Sequence, residues 1–295
     1  MRSALWPNVI DPQTERAATM NRMTPAHTDT ALAFPAGSGQ TLLDLNEVGH
    51  TYRTRDGGGV EAIRSVTEQV RKGEFISILG PSGCGKSTLL MMIAGLLPTT
   101  RGAIMLGGDP VLGPDPDSGI VLQDAVLFPW RTISRNIQLP GEIAGMPAAQ
   151  RQARADELLS LVKLDGFGGA YPRELSGGMQ QRAAIARSLM LSPSLLLMDE
   201  PFGALDAMTR DEMNVELKRI CLEAGATVIL VTHSISEAVF LSDRVMVLGN
   251  RPSTVREVVS IDAPRERGPE FVTTPEFGAY VGQLRALIGA EGEHA

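Results

Sequence analysis

FISILGPSGCGKST, residues 75–88, decides the fold. Its first five residues form an apolar run of strand length. The next nine fit the pattern GxxxxGK[ST], and the apolar residues of 89–97 read as a helix. Strand, glycine loop and helix in that order are the context in which such a loop cradles phosphate. Gly80, Gly83 and Gly85 let the backbone fold tightly enough for its N–H groups to point inward. Pro81, Ser82, Cys84 and Thr88 complete the loop. The helix N-terminus adds unsatisfied donors and the positive end of its dipole. Lys86 is placed to reach β- and γ-phosphates, and Ser87 to ligate Mg²⁺. A glycine turn that merely joins strand to helix is the alternative, and the complete motif with its flanks weighs against it. Cys84 invites a redox reading, because helix N-termini lower thiol pKa values. A small residue that fits the loop is the simpler account. Its position predicts that bound nucleotide slows alkylation of the thiol.

A second apolar run, LLLMDE (195–200), ends in two acids. Asp199 at the strand end is placed to hold Mg²⁺, usually through water. Glu200 turns another way and is placed to polarise an attacking water. In isolation these would be solvated acids at a strand end; downstream of a phosphate loop they read as catalytic. His233 ends the run VILVT, and a lone histidine after a strand is more often structural. This one follows the next strand after the acids, so it belongs to the same carboxyl edge, where open α/β sheets bind ligands. A γ-phosphate contact is expected. His27, His50, His233 and His294 lack metal-ligand spacing, so zinc is not supported.

Around these motifs the chain alternates β and α. Strands are expected near 42–48, 60–70, 75–79, 119–123, 195–198, 227–232 and 244–248, with short strands and turns across 100–112. DGGG at 56–59 is a turn. Helices are expected over 177–191, 211–224 and 236–241. Such alternation points to a largely parallel sheet flanked by helices. From 125 to 174 the character changes, and the spacing in 148–164 predicts a helix within an inserted helical lobe. Residues 1–40, rich in Thr, Pro and Ala, read as a disordered tail. Residues 251–295 form a short C-terminal extension with a strand at 255–261 and a helix at 275–288. The 295 residues are ordinary in composition, with 43% hydrophobic and 21% charged. A net charge of -7 argues against nucleic acid as the partner. Two cysteines give no disulfide framework, which suits a reducing compartment. No apolar run approaches the roughly 18 residues that span a bilayer.

LSGGMQQR (175–182) brings a family into view. Ser176 is placed to cap a helix starting at Gly177 and Gly178, whose N–H groups can face an anion. With the phosphate loop before it and LLLMDE after it, the segment resembles the signature of ATP-binding cassette ATPases. The resemblance covers about 42–248. It implies a P-loop NTPase core with a mainly parallel sheet, an N-terminal antiparallel β subdomain and an inserted helical subdomain, together in 41–250. It implies ATP and Mg²⁺ as ligands. Tyr52 stands where the family stacks an aromatic on adenine. Gln123 resembles the glutamine that touches Mg²⁺ and water and senses the membrane partner. Gly203, Ala204, Leu205 and Asp206 are similar to the D-loop, which couples paired subunits, although the family often has Ser where Gly203 stands. His233 matches the switch histidine. In this family two ATPase subunits pack head to tail, so Ser176, Gly177, Gly178 and Gln180 are expected to serve the partner's ATP.

LQDAVLFPWRTISRNI (122–137) resembles the nitrate, sulfonate, taurine and bicarbonate importer group. That resemblance implies a peripheral, cytoplasmic-face ATPase subunit, paired as a homodimer. Two membrane permease subunits and, indirectly, an external solute-binding protein complete the expected set. Phe128 and Trp130 are either contacts to the permease or part of the lobe's own core, and the sequence weighs these equally. A non-transport cassette protein and a nucleotide-binding subunit without turnover are the competing readings. The single phosphate loop, the lack of a heptad insert and the acidic balance weigh against the first. Glu200 weighs against the second.

Overall fold

The computed structural model describes residues 39–203 and 205–289. All but the last two residues of the expected tail lie outside it, as do Ala204 of the D-loop segment, His27, and residues 290–295 with His294.

Ten strands form one continuous sheet in the order β5-β4-β1-β2-β10-β9-β3-β8-β7-β6. One end is antiparallel. β1 (Thr41–Arg53) pairs with β2 (Gly59–Arg71) and with β4 (Arg101–Leu106), and β5 (Asp109–Pro110) closes that edge. The other end is parallel: β9 (Arg244–Leu248), β3 (Phe75–Leu79), β8 (Thr227–Thr232), β7 (Leu195–Asp199) and β6 (Ser118–Val121). β10 (Ser253–Ser260) joins the two ends, parallel to β2 and antiparallel to β9. The strand that sequence places in the C-terminal extension is thus an internal strand of the sheet.

Every residue of β3, β8 and β9 is buried. Continuous apolar runs of this kind fit parallel strands covered on both faces. Alternation then sorts their side chains between two cores. Ile76, Ile78, Ile229, Val231, Met246 and Leu248 pack with α1 (Lys86–Ile93) and the antiparallel strands. Phe75, Leu79, Val228, Leu230, Val245 and Val247 pack on the other face. There they meet residues of α5 (Gly177–Ser188), α6 (Ala207–Ala224), α7 (Ile235–Leu241) and α8 (Pro275–Gly289).

The inserted lobe holds α2 (Ile133–Ile137), α3 (Leu139–Ile143) and α4 (Ala148–Leu161). The first two are five residues each, too short to leave a helical period in the sequence. Fully buried Asn136 organises the preceding turn. Its side-chain amide donates to the carbonyls of Phe128, Arg131 and Thr132, and its Oδ1 accepts from Phe128 N at 2.7 Å.

Arg244 on β9 fastens the antiparallel end to the parallel end. Its guanidinium reaches the Gln69 carbonyl at 3.1 Å, Glu74 at 3.2 Å and Glu68, and all three charged side chains are largely buried. Replacing only the cation leaves two carboxylates without their partner in a poorly hydrated place. Arg244→Met is expected to lower unfolding free energy by about 3–5 kcal/mol, measured by urea denaturation.

Candidate active site

Four parallel strands end at one edge, and each delivers a part of the site. β3 leads into the glycine loop, β6 into Gln123, β7 ends at Asp199, and β8 into His233. The loop wraps around Lys86, which is buried. Its Nζ donates to the carbonyls of Gly80 at 2.9 Å and Pro81 at 3.0 Å. Gly85 precedes α1 with φ 111°, and a Cβ there would lie 3.1 Å from Ile63 of β2, so a side chain would meet both strain and contact. Ser82 and Gly83 are exposed at the loop's crest. At the rim, the Tyr52 hydroxyl lies 3.1 Å from Thr88 Oγ1, and its ring meets His50 edge-on at 4.4 Å between centroids. The half-open ring suits stacking by a flat heterocycle.

Ser87 Oγ donates to Asp199 Oδ1 at 3.1 Å. Burial raises the Asp199 pKa; the Ser87 hydrogen bond opposes that, the Glu200 carboxylate adds to it, and Lys86 opposes it. A partly desolvated carboxylate beside a hydroxyl is a hard oxygen pair that a cation would relieve, so these residues fit Mg²⁺. Among the described residues no group of three or more His, Cys, Asp or Glu gathers around one point. A cation at Ser87 and Asp199 would take its other oxygen ligands from water, phosphate or an amide such as that of Gln123.

Glu200 sits in a left-handed conformation, φ 45°, which is costly for a residue with a Cβ. The backbone is held on both sides. Its N–H donates to the Val231 carbonyl at 2.9 Å, and its carbonyl accepts from Gly203 N at 3.0 Å. This turn separates the Glu200 side chain from Asp199 and sets Oε2 3.0 Å from His233 Nδ1. The His233 side chain is 57% exposed, open to an incoming ligand. Gln123 joins the group from β6. A Cβ at Gly203 would lie 3.2 Å from Gln123 Nε2, tight enough to displace the amide.

The signature segment has different neighbours. Ser176 caps α5, its Oγ accepting from Met179 N at 3.3 Å. Gly177 and Gly178 face Leu205 and Thr209 at the start of α6, and Ser176 and Gly178 line an open depression of about 290 Å³. Gln180 turns back instead, donating to the carbonyls of Pro172 at 3.0 Å and Leu175 at 3.2 Å. Asp206 caps α6 through Thr209, and those hydrogen bonds hold its carboxyl below the usual range. In the lobe, Trp130 is 72% exposed and stacks on Phe128 at 5.0 Å between centroids. Trp130 therefore does not fill the lobe's core.

Sequence reasoning passed over two residues of α5. Gln181 is buried and donates to the Leu122 carbonyl, next to Gln123. Arg187 donates to the carbonyls of Ala125 and Val126. A glutamine on the buried stripe with Gly178 and Ile185 was the available signal.

Cys84 corrects an expectation. Its side chain is 2% exposed and packs in the core behind the loop. Cys221 is also buried, and burial pushes its thiol up to about 12. Neither thiol is expected to react with DTNB in the folded protein, with or without ATP, and both should react in guanidinium. Labelling of native Cys84 that ATP slows would contradict this packing.

Residues 63–203 match the family described as ABC transporter. An uncharacterized ABC transporter ATP-binding protein of Methanocaldococcus jannaschii is 48% identical, over 80% of this chain and 87% of that one. A nitrate import ATP-binding protein of Synechocystis is 41% identical, over 85% and 96%. A taurine import ATP-binding protein of Rhizobium johnstonii is 42% identical, over 84% and 96%. Among solved structures, a dimeric post-hydrolysis ATP-binding cassette bound to ADP and Pi aligns with TM-score 0.65 and 33% identity, covering 76% of this chain and all of that one. From the phosphate loop to the signature helix, in sequence and in fold alike, the chain belongs to the ATP-binding cassette family of transporter ATPases.

Proposed function

We propose that this chain is the ATP-hydrolysing subunit of an importer for a small anion such as nitrate, a sulfonate or taurine. Two copies work head to tail on separate permease subunits at the cytoplasmic face of the membrane, served by an external solute-binding protein. One observation carries the catalytic part: Lys86, Ser87, Asp199, Glu200, Gln123 and His233 meet at the edge of four parallel strands. The cargo class rests on the importers to which the chain is similar. No helix among the described residues is long and apolar enough to cross a membrane, and exposed Trp130, stacked on half-buried Phe128, offers a permease its apolar contact.

In this reading Lys86 exchanges its two loop carbonyls for β- and γ-phosphate oxygens. Tyr52 stacks on the adenine. Ser87 and Asp199, with Gln123, hold Mg²⁺, which neutralises charge on the phosphates when bound. Glu200 orients the attacking water and accepts its proton, Gln123 helps place that water, and His233 turns toward the γ-phosphate. Ser176, Gly177 and Gly178 present hydroxyl and N–H donors to the nucleotide of the neighbouring copy, and Asp206 lies at the contact between copies. Gln180 supports the turn behind the signature.

Glu200→Gln is expected to bind ATP normally, accumulate as an ATP-bound dimer in size-exclusion chromatography, and lose at least about 100-fold in kcat. Wild-type turnover in that variant would overturn the assignment. In mixtures, a Ser176→Arg copy and a Lys86→Ala copy should form dimers with one intact site of two, regaining ATPase activity that neither shows alone. Pairing without any recovered turnover would contradict the head-to-tail arrangement.

A further inference from the structure

The loop that carries Gln123 runs from the end of β6 to the start of α2, residues 122–132, without a strand or helix of its own. Its backbone is held from one side by the signature helix α5. Gln181 Nε2 donates to the Leu122 carbonyl at 3.1 Å. Arg187 Nη1 donates to the Val126 carbonyl at 2.7 Å, and Nη2 to the Ala125 carbonyl at 3.0 Å. Val126 adopts φ 44°, a left-handed conformation unfavourable for a β-branched residue. A loop holding that conformation needs outside support, and the guanidinium fork supplies it at that carbonyl. Burial lowers the Arg187 pKa, and of its two carbonyl bonds the one to Ala125 is the more sheltered.

We infer that Gln181 and Arg187 are positioning residues that join the two half-sites within one chain. The first turn of α5 is the signature, which faces the neighbour's nucleotide; its later turns hold the loop of Gln123, which faces this chain's own. Ser176 to Arg187 spans about 17 Å at 1.5 Å per residue, along one hydrogen-bonded helix. A shift of the signature against the neighbour's phosphates carries the Gln123 loop with it. The same loop bears Phe128 and Trp130, so the permease-facing stack moves with them. This inference rests on the reading that two copies pair head to tail.

The test uses the full chain with Gln181→Leu, Arg187→Met and Arg187→Lys. Hydrogen exchange of the nucleotide-free protein reads the clamp alone, without any need for pairing. Amides of 122–130 are expected to exchange at least about tenfold faster in Gln181→Leu and Arg187→Met, while those of α4 and β7 keep wild-type protection. Arg187→Lys, which retains one charged donor, should fall between. Wild-type protection of 122–130 in the two non-polar variants would overturn the clamp. Should either of these misfold globally, the folded Arg187→Lys variant decides alone, and unchanged exchange there overturns it.

ATPase rate against ATP concentration reads the coupling. In the wild type, two communicating sites give a Hill coefficient above about 1, with about 2 as the ceiling; in the clamp variants it should fall toward about 1. Retained cooperativity beside a loosened loop would overturn the joining role. If the Glu200→Gln chain also fails to dimerise with ATP, the pairing reading itself has failed, and with it the joining of half-sites; the exchange data still settle the clamp.

Discussion

The parallel register of β3, β8, β7 and β6 is the constraint on which the site depends. Leu79 pairs with Thr232, Val231 with Asp199, and Met198 with Val121. These strands therefore end in step. The glycine loop, His233, Glu200 and Gln123 all begin within a residue or two of one line across the sheet. A slip of one residue in any strand would send the side chains packed in each core to the other, so both cores hold the register. Packing far from the nucleotide thus sets distances such as the 3.0 Å between Glu200 and His233.

That edge is also where the protein is under electrostatic and conformational load. Asp199 has a raised pKa because burial and the Glu200 carboxylate disfavour its charge. For an acid whose folded pKa is raised, the folded state loses stability as pH rises through the ordinary carboxylate value, and the loss is complete above the folded value. At neutral pH the ionised side chain is therefore a cost to the fold. A cation between Ser87 and Asp199 would oppose that cost. The left-handed Glu200 adds backbone strain at the next residue, held by Val231 and Gly203. Both features make sense for a site completed by its ligand, with free energy of binding offsetting what the empty site costs.

Much of this was legible in residue order. GPSGCGKST, LLLMDE and LSGGMQQR each carry their chemistry in consecutive residues, and the flanking apolar runs fall where β3, β7 and β8 form. What stayed hidden depends on partners remote in sequence. Gln181 reaches back 59 residues to Leu122, and Arg187 reaches 61 to Val126. α2 and α3 owe their existence to the lobe's core and to Asn136, not to any local period. Cys84 fits the loop as a small residue, as expected; what residue order hid is that its side chain points into the core, where a labelling reagent would not reach it.

The chain beyond β9 shows the same limit more sharply. Composition marks 251–295 as an extension, yet β10 joins the two halves of the sheet, and the segment after it caps the helix that follows His233. Arg267 is buried and donates to the carbonyls of Val239 at 2.7 Å, Phe240 at 3.2 Å and Ser242 at 2.9 Å. Lys218 of α6 takes the Leu241 carbonyl between them at 2.5 Å. Two buried cations thus satisfy the last turn of α7, where a helix presents unpaired carbonyls and the negative end of its dipole. The first turn of α7 follows His233 directly, and there Glu237 accepts from Thr232 at 2.6 Å and lies 3.6 Å from Arg210 of α6. α7 is therefore tied at both ends to the helix that Asp206 begins. His233 and Asp206 thus precede two helices that pack on each other, and the C-terminal segment braces that pair through Arg267.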